Sequence, residues 1–382
     1  MPHYAKPEIA YGDPIAQPKA AKGFQPLPPR PAGDLKATLA EVAPLIAASL
    51  PKNGPLFFHA VGDTGGVDGD EVERRIAEAM QFQIKNAKPN EIPGFFYLLG
   101  DVVYKHGNPD DYRDQFYKPF KRYDAPIVAI PGNHDGYGRQ TIPDSSLDGW
   151  KLNFLGELPE PKWFPYRDPM RLPYVYWVLE TEWVNIIGLY SNTEGFLDEP
   201  DGGQPQRQWL AERLADTPKD RAIIITVHHP PYSLDDDHHG SPAIGEAIDW
   251  AVDKAKRWPD MVLSGHVHSY QRFTRRVGER EIPYVVAGAG GRANKRSRLA
   301  SVMEWPGQPL IKLPFKTKPR DPALDVELVA ADWTDPGFLL LSVDNAELRC
   351  TYYRVPFDES QPTDWQDSFR LDLKSNTITN PR

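Results

Sequence analysis

Asp63, Asp101, Tyr104, Asn133, His228, His266 and His268 share one kind of position in the chain: each stands just beyond a short apolar run. The first three runs are Leu56-Phe57-Phe58-His59-Ala60-Val61 before Gly62-Asp63, Phe95-Phe96-Tyr97-Leu98-Leu99 before Gly100-Asp101-Val102-Val103-Tyr104, and Ile127-Val128-Ala129-Ile130 before Pro131-Gly132-Asn133-His134-Asp135. Two more are Ala222-Ile223-Ile224-Ile225-Thr226-Val227 before His228-His229, and Met261-Val262-Leu263-Ser264 before Gly265-His266-Val267-His268. Carboxylate, phenolate, amide oxygen and imidazole are the donors that hard and borderline metal ions take. The chemistry open to such a set is metal-assisted.

The elements that must position these donors follow from the same runs. Short apolar stretches stopped by glycine or proline read as buried strands. In a sheet covered on both faces, ligands bind beyond the carboxyl ends of the strands. Five strands delivering Asp, Asp, Tyr, Asn and His to one edge describe one site. Between them the apolar spacing predicts helices over residues 70–88, 110–123, 205–215 and 243–257. Strands alternating with helices imply an α/β layered fold. Asp34 opens a further helical pattern through Leu35, Leu39, Val42 and Ile46, which Pro44 prevents from running straight.

The chain has 382 residues, 40% hydrophobic and 25% charged, which suits a globular fold. Residues 1–31 hold eight prolines and few aliphatics, so residues 1–50 are expected as a Pro-rich arm with a short helix. Residues 51–355 are expected as the catalytic domain, with irregular loop insertions near 136–173 and 292–336, and 356–382 as a polar tail with at most one edge element. A net charge of −9 gives no basic footprint for nucleic acid. One basic cluster, Arg292 to Arg298, reads either as a solvated loop or as a phosphate-facing rim. The single cysteine, Cys350, excludes an internal disulfide and a thiolate cluster. No apolar run reaches the ~20 residues of a membrane span. Neither a nucleic-acid nor a membrane partner is indicated. Localisation stays open between cytoplasmic, if this N-terminus is native, and periplasmic or secreted, if a leader has been removed.

Taken in order, the motifs Gly62-Asp63-Thr64-Gly65, Gly100 to Tyr104, Gly132 to Asp135, Val227-His228 and Gly265 to His268 resemble those of the calcineurin-like metallophosphoesterases, and among them the purple acid phosphatases. Flanking text agrees: Gln208-Trp209-Leu210, His229-Pro230-Pro231-Tyr232 and Ser269-Tyr270-Gln271-Arg272. One position separates the subfamilies. Most metallophosphoesterases place a ligand histidine two residues after the first aspartate, where this chain has Gly65. Tyr104 instead stands three residues after Asp101, where the purple enzymes carry their tyrosinate, although a buried structural tyrosine is an alternative there.

The resemblance implies a metallophosphoesterase sandwich of two mixed β-sheets flanked by helices. It implies two metal ions: Fe(III) held by Asp63, Asp101, Tyr104 and His268, and Fe(II), Zn(II) or Mn(II) held by Asp101, Asn133, His228 and His266. Hydrolysis of a small-molecule phosphate monoester by a metal-bound hydroxide would follow, releasing inorganic phosphate. A phosphodiesterase acting on cyclic nucleotides or phospholipid head groups is the alternative within this chemistry, and a catalytically silent metal-binding protein the alternative outside it. His134 is implied as a proton donor or charge stabiliser, with Asp135 expected to orient its ring. His238 and His239 match, with the spacing one residue longer, a histidine pair that faces the leaving group in plant-type relatives. A solvated polar loop reads them equally well. Asp235, Asp236 and Asp237 would raise the pKa of a histidine beside them. His59 is expected as a satisfied interior histidine, His106 as an exposed loop residue, and Arg272 in a structural ion pair.

Overall fold

A computed structural model of the chain describes residues 27–50, 54–66, 69–136, 147–156, 167, 170–193, 195–198, 204–235, 238–292, 313–316 and 324–380. In chain order the strands are β1 (Lys36–Thr38), β2 (Leu56–Val61), β3 (Pro93–Leu98), β4 (Ile127–Ala129), β5 (Trp177–Glu180), β6 (Val184–Leu189), β7 (Ala222–Val227) and β8 (Met261–Ser264). They continue with β9 (Tyr270–Val277), β10 (Arg280–Ala287), β11 (Phe315–Lys316), β12 (Asp325–Asp332), β13 (Gly337–Val343), β14 (Glu347–Arg354), β15 (Asp364–Asp372) and β16 (Thr377–Thr379). The helices are α1 (Leu39–Val42), α2 (Pro44–Ser49), α3 (Glu71–Asn86), α4 (Asp148–Phe154), α5 (Gln206–Asp216) and α6 (Pro242–Ala255).

The strands form two mixed sheets, as the family resemblance implies. One runs β1-β5-β6-β7-β8-β10-β9-β12-β11 and the other β16-β15-β14-β13-β2-β3-β4. The strands that carry the motifs and their neighbours pair in parallel: β2-β3-β4 in one sheet and β6-β7-β8-β10 in the other. Strands buried on both faces read as unbroken apolar runs, and β3, β6, β7 and β8 are buried at every residue. The sheets meet across buried contacts: Thr226 Oγ1 donates to Tyr97 Oη at 2.9 Å and Trp177 Nε1 to the Ala129 carbonyl at 3.2 Å.

α3 turns Val72, Ile76, Ala77 and Met80 inward. It also supplies Gln83, whose Oε1 lies 3.0 Å from His59 Nε2, while Tyr123 Oη takes His59 Nδ1 at 2.9 Å. His59 is therefore a satisfied interior group, and burial pushes its pKa down to about 4. α5 and α6 bury Trp209, Leu210 and Leu214, and Ile244, Ile248 and Ala251. Cys350 is buried in β14.

Four stretches differ from the sequence reading. The helical pattern from Leu35 is a strand first: β1 pairs in parallel with β5, and the helix waits for a capping box between Thr38 and Glu41. Pro44 then divides it into α1 and α2. Residues 110–123 make a 3-10 turn, Pro109–Asp111, and a π-helical turn, Arg113–Tyr117, rather than an α-helix. Within the stretch read as the second irregular loop, Asp325–Asp332 is a strand on β9, and residues 293–312 and 317–323 lie outside the described residues. The stretch read as a polar tail supplies two strands, β15 and β16. Its Asp367 takes Arg272 Nε at 2.6 Å and Nη2 at 3.0 Å, the structural ion pair expected for Arg272.

Candidate metal centre

The carboxyl ends of β2, β3, β4, β7 and β8 converge, and all seven donors come together there. Asp63, Asp101, Asn133, His228 and His266 are buried, and Tyr104 is 2% exposed. Three donor atoms form one triangle. Tyr104 Oη lies 3.0 Å from Asp63 Oδ1 and 3.3 Å from His268 Nε2, and His268 Nε2 lies 3.5 Å from Asp63 Oδ1. Four others chain together beside it. His228 Nε2 lies 3.0 Å from Asn133 Oδ1, 3.4 Å from Asp101 Oδ2 and 3.2 Å from His266 Nδ1.

These separations test the fit of cations. An ion holding donors at about 2.0–2.2 Å spaces them about 3.0–3.5 Å apart at octahedral to tetrahedral angles. Both groups have that spacing. The contacts also make poor sense without a cation. Two buried imidazole nitrogens face each other at 3.2 Å, and His266 Nε2 has no hydrogen-bond partner among the described residues. Burial, then Asp101 and Asp63, hold the Tyr104 phenol well above its ordinary pKa, so it needs a positive charge to ionise. Burial pushes His228 down, but Asp101 overcomes it and raises the imidazole to about 9.

Backbone groups aim the donors. His228 Nδ1 donates to the Leu99 carbonyl at 2.8 Å, which leaves the Nε2 lone pair for the cluster. Asp63 Oδ2 accepts from His266 N at 2.6 Å and Asp101 Oδ1 from His134 N at 2.8 Å, so each carboxylate keeps its other oxygen for the cluster. Asp63, Asp101 and His266 have φ of 60°, 52° and 69°. The left-handed conformation costs about 1–2 kcal/mol at a residue other than glycine, and such strain collects at functional sites.

Gly132 shows how tight the fit is. A Cβ there would lie 2.2 Å from Asp101 Oδ1 and 2.4 Å from Asp101 N. Gly132→Ala is expected to displace Asp101, remove metal and lower turnover by about 10²-fold. Elemental analysis and kinetics on one preparation check this, and a fully loaded, fully active variant would overturn it.

A family model for calcineurin-like phosphoesterases matches residues 58–270, more than half of the chain and all five motif strands. The chain belongs to the calcineurin-like phosphoesterases. Its sequence is similar to Purple acid phosphatase 22 of Arabidopsis thaliana, 24% identical over 273 residues, or 68% of this chain and 55% of that protein. It is also similar to a probable glycerophosphodiester phosphodiesterase, GpdQ, of Arcobacter nitrofigilis, 26% identical over 189 residues, or 48% of this chain and 59% of that one. The fold is shared with the purple acid phosphatase PPD1 of yellow lupin (Lupinus luteus) seeds, at a TM-score of 0.58, 16% identity, and coverage of 84% of this chain and 54% of that one. The chain spans about half the length of the curated relatives it matches.

In this calcineurin-like frame the remaining histidines separate. His134 lies at the rim with its ring centroid 4.3 Å from that of Tyr104, and its Nδ1 donates to the Lys105 carbonyl at 2.9 Å. Burial holds its pKa below the ordinary value, opposed by Asp101. Asp135 does not orient it, contrary to the sequence reading. Its carboxylate accepts from Gly132 N at 2.8 Å, Val102 N at 3.1 Å and Val103 N at 3.3 Å, tying the β3 and β4 loops together. Both residues lie in the 3-10 turn His134–Gly136, where successive side chains point about 120° apart.

Of the pair beyond β7, the His238 ring comes against the cluster, 5.0 Å from that of His266 and 5.7 Å from that of His268. Asp235 Oδ1 accepts from His238 N at 2.6 Å and lies 3.2 Å from Nδ1. His239 instead forms a single backbone bridge with Leu234, while Asp236 and Asp237 lie outside the described residues. His106 is exposed. Sequence reasoning missed His229, whose ring lies 4.4 Å from that of His266 and whose Nδ1 lies 2.7 Å from Ser191 Oγ. It missed the Leu99 and Lys105 carbonyls too, since a backbone acceptor has no residue-type signal.

Proposed function

We propose that the chain hydrolyses phosphate monoesters at a dinuclear metal centre. The observation that carries this reading is two adjoining donor groups at cation-matched spacing. Asp63, Tyr104 and His268 would hold one ion and Asn133, His228 and His266 the other, with Asp101 shared between them. A phenolate beside two carboxylates suits Fe(III) in the first position, and imidazoles with an amide oxygen suit Fe(II), Zn(II) or Mn(II) in the second. The bound pair supplies charge neutralisation and an activated water for in-line displacement at phosphorus.

The chain's own residues do the rest. A bond forms from water oxygen to phosphorus, the ester P–O bond breaks, and the leaving oxygen takes a proton. With Nδ1–H held on the Lys105 carbonyl, His134 exchanges its proton at Nε2. Asp235 accepts from His238 N and lies 3.2 Å from its Nδ1, which orders His238 as a second proton donor on the open side. His239 belongs to this pair by sequence, and its backbone bridge serves to fix the loop. The substrate would be a small phosphate ester, and the product inorganic phosphate. The similarity to a probable glycerophosphodiester phosphodiesterase favours a second reading, hydrolysis of diesters.

His134→Ala is expected to lower kcat by about 10²–10³-fold with both metal equivalents retained. Elemental analysis and steady-state rates check both halves. Undiminished turnover would remove His134 from the mechanism. Rates on p-nitrophenyl phosphate and its bis-ester decide between the monoester and diester readings.

A further inference from the structure

We propose that Arg292 binds the terminal phosphate oxygens of the substrate and sets a preference for monoesters; this rests on the phosphoesterase reading above. Arg292 Cζ lies 4.9 Å from the centroid of the ring of Tyr104, whose Oη is one corner of the first donor triangle. Its position is fixed by the backbone. Gly290 N donates to the Gly62 carbonyl at 3.1 Å and Arg292 N to the Asp63 carbonyl at 2.9 Å. Gly291 between them has φ +132° and packs so closely on Glu73 that a Cβ would lie 2.8 Å from Glu73 Cα. The guanidinium therefore hangs from a loop that is hydrogen-bonded to the segment carrying Asp63.

Among the described residues its hydrogen-bonding capacity is unused. Arg272 engages Asp367, Arg275 engages Asp249, Arg276 engages Glu327 and Arg280 engages Asp260. Arg292 has no acceptor for its side chain among the described residues, and its Nε is buried. A half-buried guanidinium resting on an aromatic face, with its donors unengaged among the described residues, is poised for an anion. The fork geometry of the group matches phosphate.

The chemistry of the two ester classes then separates them. A monoester presents three terminal oxygens and carries up to two negative charges. A diester presents two oxygens and one charge, with an uncharged substituent in place of the third. Arg292 gains a charge-assisted hydrogen-bond pair with the first and less with the second.

Arg292→Met and Arg292→Lys, prepared as metal-loaded protein, test this on p-nitrophenyl phosphate, on bis(p-nitrophenyl) phosphate, and by calorimetric titration with inorganic phosphate. For Arg292→Met the monoester kcat/KM should fall about 10- to 100-fold, chiefly through KM. The monoester-to-diester ratio should fall at least about tenfold, and the phosphate Kd should rise about tenfold. Arg292→Lys should recover part of the phosphate affinity but not the full ratio. Equal losses on both esters, or an unaltered phosphate Kd, would overturn the proposal and leave Arg292 as packing for Tyr104. If the unmodified protein turns over neither ester, the phosphoesterase reading fails on that result. The phosphate titration then judges Arg292 alone: weaker binding in Arg292→Met supports the contact, and identical binding refutes it.

Discussion

Asp101→Asn is expected to lower kcat/KM on p-nitrophenyl phosphate by about 10³-fold or more, and to leave less than one metal ion per chain. Asp101 is the carboxylate proposed to be shared between the two ions. Its Oδ2 lies 3.4 Å from His228 Nε2, and its charge acts on Tyr104 as well as on His228. The substitution preserves shape, and an amide oxygen can still accept the 2.8 Å hydrogen bond from His134 N. What it removes is the negative charge that would face both ions. The change therefore separates charge from packing: far-ultraviolet circular dichroism should stay as in the unsubstituted protein while elemental analysis falls. Two full equivalents of metal in Asp101→Asn would mean that Asp101 bridges nothing.

Tyr104→Phe should abolish any visible charge-transfer band and lower turnover by about 10- to 100-fold, while the second ion stays bound. The ring can remain in place, because its contacts with His134 at 4.3 Å and Arg292 at 4.9 Å do not use the hydroxyl. Loss of the hydroxyl leaves Asp63 Oδ1 without the donor now 3.0 Å away and removes the only phenolate candidate from the triangle. An absorption spectrum with elemental analysis on the same sample reads the outcome. A band that persists in Tyr104→Phe would exclude Tyr104 as its source. A colourless unsubstituted protein with two equivalents of zinc or manganese would withdraw Fe(III) and keep the dinuclear hydrolase.

Some elements were open to sequence reasoning because their burial pattern is local. Ala222–Val227 is an unbroken apolar run and is buried at every residue. The helices read at 70–88, 205–215 and 243–257 appear as α3, α5 and α6 because each carries an inward apolar stripe over several turns. Elements that failed were those whose identity depends on a distant partner. Lys36–Thr38 is a strand only because Val178–Glu180 offers it an edge. Asp325–Asp332 alternates weakly in burial and takes its conformation from β9. The last strands are polar because they lie toward the sheet edge, where one face meets solvent.

By itself, the sequence determined which residue types end which strands, and so the chemistry available: Asp63, Asp101, Tyr104, Asn133, His228, His266 and His268 all follow apolar runs. A strand end is a local property, set by where burial stops. Tertiary structure alone decided which atoms face one another. It turned Asp63 Oδ1, Tyr104 Oη and His268 Nε2 into one triangle across residues 63–268. It assigned Asp135 to backbone amides and gave His134 to the Lys105 carbonyl. It brought the His238 ring to the cluster and placed Arg292 on Tyr104. These choices depend on left-handed turns and on carbonyls from other strands. Neither leaves a mark on residue type, so only the packing of the two sheets could make them.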